Sequence, residues 1–138
     1  MRFFSIDNKM KILCLCMLAC LVVVKAQTRE HQLITKRAIE VHCQKSLRVT
    51  DELVNEVGSG KESDPEKAGE FAYCVNLNIG IQNESGELNV ERVKQLFKFL
   101  EIKEDQIQEF LTLCKAKKEY TKQQNGLFIT QCYKKYNI

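Results

Sequence analysis

Seven cysteines and two histidines are the side chains of this chain able to do covalent, redox or metal chemistry. Cys14, Cys16 and Cys20 fall within an apolar run near the N-terminus, and the other four, Cys43, Cys74, Cys114 and Cys132, are spread along the remainder. Thirty residues lie between Cys43 and Cys74, and seventeen between Cys114 and Cys132. Four dispersed cysteines in a small secreted chain read as a disulfide framework, for which the sequence alone leaves three pairings open. His31 and His42 are eleven residues apart. On one helix they would stand about 16 Å apart, too far to share a metal. His42 and Cys43, as helix neighbours, would point about 100° apart, which disfavours a thiol–imidazole pair. The acidic group Glu62, Asp64, Glu66 and Glu70 reads as a solvated face whose charges complement the start of a helix. No glycine-rich phosphate loop and no metal-ligand spacing is present. These residues point away from an enzyme, and toward a protein with neither cofactor nor metal.

The elements that position the cysteines begin with a leader. Lys9 and Lys11 precede an apolar run from Ile12 to Val24, and Val24-Lys25-Ala26 supplies small residues where a signal peptidase reads. The run is shorter than the roughly 20 residues of a spanning helix, so residues 1–26 are expected to be removed as a signal peptide, without stable membrane insertion. One domain, residues 27–138, remains. Of the 21 basic and 18 acidic residues, Arg2, Lys9, Lys11, Lys25 and Asp7 belong to the leader, so the domain carries 17 of each and no net charge. A neutral, dispersed charge pattern lacks the footprint for nucleic acid or anionic lipid. Cys14, Cys16 and Cys20 leave with the leader.

The domain reads as helices throughout. Ile34, Ala38 and Val41 recur at helical spacing in a first helix over about 28–47. A short second helix over about 51–57 is broken by Gly58-Ser59-Gly60. Ser63 and Glu66 form a capping box, with Pro65 at the first position, for a third helix that runs to about Asn78 and stops at Gly80. A polar loop over 82–87 contains the tripeptide Asn83-Glu84-Ser85, a candidate glycosylation site in a secreted context. Asn89 caps a fourth helix through Leu100, striped by Val93, Leu96, Phe97 and Leu100. A fifth over about 104–120 aligns Ile107, Phe110, Leu111 and Cys114, and Thr121 with Gln124 opens a sixth carrying Phe128 and Cys132. The expected architecture is an all-α compact bundle of about six helices.

This layout resembles the insect pheromone- and general-odorant-binding protein family, six cysteines in six helices. The resemblance is carried by the spacing of Cys43, Cys74, Cys114 and Cys132, by Val75-Asn76-Leu77-Asn78-Ile79-Gly80 after Cys74, and by Phe128-Ile129-Thr130-Gln131-Cys132-Tyr133-Lys134 around the last cysteine. It covers nearly all of residues 28–136. The family places its second cysteine four residues before the third, where this chain has Glu70, and its fifth nine before the sixth, where this chain has Gln123. These two cysteines bond each other in the family. Their joint loss orphans no thiol, and so the chain resembles the four-cysteine "minus-C" branch. The resemblance implies the pairings Cys43–Cys74 and Cys114–Cys132, stapling the bundle around an internal apolar cavity. It also implies that Glu70 and Gln123 are neighbours able to share a hydrogen bond.

The function implied is that of a secreted carrier, which binds a small hydrophobic ligand (odorant, pheromone or similar) and moves it through sensillum lymph, haemolymph or another fluid. An olfactory receptor is the expected partner, and a monomer or weak homodimer the expected state. Ligand pockets are concave and mostly apolar. The candidate lining is Leu53, Val54, Phe71, Val93, Leu96, Phe97, Leu100, Phe110, Leu111, Leu113 and Phe128, with Tyr73, Tyr120 or Tyr133 as hydroxyl donors. The alternative is a secreted helical signalling or venom-type protein that acts by surface contact, with a solid core and an exposed apolar patch. A phospholipase would need a helical His-Asp dyad, and neither His31 nor His42 is followed by Asp.

Overall fold

The computed structural model describes the backbone of residues 2–136, and their side chains except for 2–7 and 24–33. The predicted cleavage site Val24-Lys25-Ala26 and the side chain of His31 lie outside the described side chains. Six helices follow one another: α1 (Arg2–Leu47), α2 (Asp51–Glu56), α3 (Pro65–Ile79), α4 (Val90–Phe99), α5 (Glu104–Leu113) and α6 (Lys122–Lys135). An isolated bridge between Gln82 and Leu88 is the extended pairing among the described residues. No described helix is long and apolar enough to cross a membrane.

The chain divides into two units, residues 1–37 and 38–138. In the first, α1 is continuous through the apolar run, whereas a helix starting near residue 28 was expected. No glycine precedes Gly58 and no proline precedes Pro65, so nothing in this stretch interrupts a helix once begun. Leu13, Leu15, Leu18 and Leu21 stand exposed along it, without a core of their own.

The second unit is organised by a tight contact between α3 and α6. A Cβ built on Gly126 would lie 2.7 Å from the backbone nitrogen of Tyr73, and one on Gly69 would lie 3.0 Å from the carbonyl oxygen of Gln123. The contacts 69–123, 73–126 and 76–130 advance together, so the two helices run in the same direction. Two glycines thus let the backbones approach more closely than any side chain would permit.

Helix ends follow local chemistry. Thr121 and Gln124 complete the expected capping box. Gly80, at φ 85°, ends α3 in the left-handed conformation that glycine adopts without strain. Two expectations are corrected. Asp64, not Ser63, caps α3 by accepting from Lys67 N–H. The Ser63 hydroxyl donates instead to Glu56 Oε2 at 2.7 Å, and Pro65 at the first helical position leaves Asp64 as the capping residue. Helix α5 ends at Leu113, not near Tyr120. Asn125 Oδ1 accepts from Lys117 N–H at 2.8 Å and its Nδ2 donates to Lys117 O at 3.0 Å. This side chain takes the two backbone groups that a longer helix would use.

Cys43 and Cys74 are bonded, with Cα atoms 5.9 Å apart, and tie α1 to α3. Cys114 and Cys132 differ from the implied pairing, since both are free thiols. The Cys132 thiol, on α6, neighbours that of Cys114, at the C-cap of α5, so the chain path brings the two implied partners together.

Candidate functional site

The apolar residues gather into two clusters. One surrounds the Cys43–Cys74 bridge and packs Leu53 and Val57, from α2 and its end, against Ala68, Phe71 and Val75 of α3. The other joins Val93 and Phe97 of α4, Ile107 and Phe110 of α5, and Ile129 of α6. Helix α6 serves both, with Leu127 against the first and Phe128 and Ile129 in the second. Phe97 meets Phe110 edge-on at 4.8 Å between ring centres, and Phe110 meets Tyr136 at 5.9 Å. Such pairs favour this geometry because the positive ring edge faces the negative ring face.

The structure assigns nine of the eleven predicted lining residues to these clusters. Leu53, Val54 and Phe71 belong to the first, and Val93, Leu96, Phe97, Phe110, Leu111 and Phe128 to the second. Leu100 and Leu113 stand apart, 37% and 56% exposed. Leu100 follows the last residue of α4, where the chain turns through Glu101 at φ 62°, so the stripe is not continued. Leu113 sits about 60° off the Phe110 face of α5 and 100° from Cys114. An open recess of about 350 Å³ lies elsewhere, lined by Gly58, Ser59, Gly60, Gln131, Lys134 and Lys135, and none of the eleven residues borders it.

The interior also holds a polar ring, built from residues outside the predicted apolar lining. Asn76 is fully buried. Its Nδ2 donates to Thr130 Oγ1 at 3.3 Å and to Gly126 O at 3.1 Å. The Tyr133 hydroxyl donates to Asn76 Oδ1 at 3.0 Å. With that proton spent, the 3.1 Å contact between Thr130 and Tyr133 has Thr130 as donor. Three side chains from α3 and α6 thus close a cycle of donors and acceptors. Burial pushes the Tyr133 hydroxyl up to about 12, against the lowering effect of its hydrogen bond to Thr130. Gln82 extends the network, accepting from Asn76 and donating to Gly86 O at 2.8 Å and Lys122 O at 3.1 Å. A signal existed, since Asn76 lies one turn beyond Ala72, in phase with the buried face of α3. A lone asparagine in an apolar stripe marks a partner elsewhere.

Of the other tyrosines considered as hydroxyl donors, Tyr73 donates to Glu84 O and Tyr120 accepts from Lys117 Nζ. Lys117 Nζ sits 4.4 Å over the ring of Phe128 and 4.8 Å over that of Tyr120. Glu70 and Gln123 lie on facing helices, since Gly69 abuts Gln123, but no hydrogen bond joins their side chains among those of the described residues. Tight backbone contact is what the structure describes at this interface.

Comparison with known proteins bears on the whole domain at once. The profile of the PBP/GOBP family matches residues 25–136. Comparison with curated proteins gives no match. Members of the matched family are small-ligand carriers and not enzymes. With most of its length matched, the chain belongs to the PBP/GOBP family, the insect odorant-binding proteins.

Proposed function

We propose that this protein is a secreted carrier of small hydrophobic molecules, taking up odorants, pheromones or similar ligands and moving them through an aqueous fluid. The observation that carries this reading is the family match over residues 25–136, with nine of the eleven predicted lining residues gathered in two apolar clusters that share α6. A ligand accommodated in the second cluster would meet Phe97, Phe110 and Phe128, rings that supply apolar area at little entropic cost. Residues 1–26 are the leader, in keeping with a helix whose leucines are exposed. The place in the four-cysteine branch is supported by Gly69 abutting Gln123, which sets the two substituted positions on facing helices.

The test is titration with N-phenyl-1-naphthylamine followed by displacement with long-chain alcohols and esters. Saturable fluorescence enhancement, reversed by the competitors and reduced by Phe110→Ala, is expected. No enhancement from folded protein, as judged by its circular dichroism, would overturn the carrier reading in favour of action by surface contact.

A further inference from the structure

The turn joining α3 to α4 carries the tripeptide Asn83-Glu84-Ser85 at its tip. Beneath the tip the turn is anchored. Asn83 N–H donates to Glu87 O at 2.8 Å, and Gln82, buried, donates to Gly86 O and Lys122 O. Gly86 is buried so close to α6 that a Cβ there would lie 2.8 Å from the Lys122 Cα. Above it, Asn83, Glu84 and Ser85 are all exposed.

The Asn83 amide is oriented by its partners. Its Oδ1 accepts from Ser85 N–H at 3.1 Å, from the Ser85 hydroxyl at 2.6 Å and from Glu87 N–H at 2.9 Å. Three donors identify the oxygen without ambiguity, so Nδ2 is the opposite atom of the amide. Among the described residues Nδ2 has no hydrogen-bond partner, and the residue is exposed. The acceptor half of the side chain is fully used and the donor half is spare. The middle residue is Glu84, not proline, as the acceptor tripeptide requires.

We infer that Asn83 is an N-glycosylation site, its Nδ2 accepting an oligosaccharide in the secretory pathway. This rests on the proposal that the chain is secreted. In the transfer, Nδ2 attacks the anomeric carbon of an oligosaccharide carried on a lipid diphosphate. The N–C bond forms, the C–O bond to the diphosphate breaks, the lipid diphosphate departs, and one Nδ2 proton passes to a base on the transferase. Oδ1 is untouched, so every hydrogen bond that shapes the turn persists beneath the glycan. The Ser85 hydroxyl that completes the acceptor tripeptide is the same group that holds Oδ1 in the folded turn.

The test is translation of the full chain in the presence of endoplasmic-reticulum microsomes. The protease-protected fraction is expected to run heavier and to return to the polypeptide mass with endoglycosidase H. Asn83→Gln and Ser85→Ala should abolish the shift, and Ser85→Thr should keep it. A protected chain with no glycosidase-sensitive fraction overturns the inference and leaves secretion standing. A chain left accessible to protease overturns both.

Discussion

Asn76 illustrates how much one buried side chain can organise. It holds Thr130 and Tyr133 in a closed cycle and reaches the carbonyl of Gly126, so α3 and α6 are locked in register as well as in contact. Removing one member of a buried network strands its partners, at about 1–3 kcal/mol for each orphaned group. Asn76→Ala is therefore expected to lower unfolding stability by about 3 kcal/mol, read as a lower urea midpoint at unchanged slope. Tyr133→Phe, which leaves Asn76 its other partners, should cost about 1–2 kcal/mol. A cost for Tyr133→Phe equal to that of Asn76→Ala would show that the ring does not centre on Asn76.

At the scale of elements, the segment between α2 and α3 is held by carboxylates. Glu56 Oε2 accepts from Ser63 N–H at 2.8 Å and from its hydroxyl, and these bonds hold the Glu56 carboxyl below its ordinary value. Burial penalises the Glu62 carboxylate, but the backbone N–H groups of Glu62, Gly60 and Gly58 and the Gln131 amide outweigh that penalty and lower its pKa. Glu62 Oε1 accepts from Gly58 N–H at 2.8 Å and from Gly60 N–H at 3.2 Å. A carboxylate whose pKa is lowered on folding contributes stability above its unfolded value of 4.5 and loses it as pH falls through the folded one. Glu62→Gln should therefore lower stability at neutral pH and flatten the decline below about pH 4.5, as seen in thermal melts across pH. Between α3 and α6, the double substitution Glu70→Cys/Gln123→Cys is expected to form a bridge on oxidative refolding. The added stability would be at most about 4 kcal/mol on the chain-entropy argument. Two free thiols at these positions after refolding would break the alignment of Glu70 and Gln123 with the missing pair.

For the molecule as a whole, the unfinished feature is the Cys114–Cys132 pair. Burial and the neighbouring Cys132 thiol both push the Cys114 thiol up, so little thiolate, the form that attacks a disulfide, exists at neutral pH. Reduced protein exposed to oxidised glutathione is expected to close this pair slowly at pH 7 and faster as pH rises. Protein recovered from a secretory host should show no reactive thiol among Cys43, Cys74, Cys114 and Cys132 after unfolding in denaturant. Two reactive thiols per chain would mean that Cys114 and Cys132 persist reduced. Closing the bridge would join α5 to α6 and add about 3 kcal/mol by the same entropic argument.

The helices, most of their ends and the family were legible in the sequence. Each rests on local chemistry: apolar residues at helical spacing, Thr121 with Gln124 at a helix start, Gly80 at a helix stop, and cysteines at characteristic separations. In two places where reading failed, a partner seven or eight residues along the chain had overridden a local preference. Glu56 drew Ser63 away from the cap of α3, and Asn125 took the backbone of Lys117 and shortened α5. Only the tertiary structure could set Gly126 against Tyr73, and Asn76 against Thr130 and Tyr133. Contacts across some fifty residues leave no periodic trace, because periodicity reports which face of a helix is apolar and not which helix it will meet.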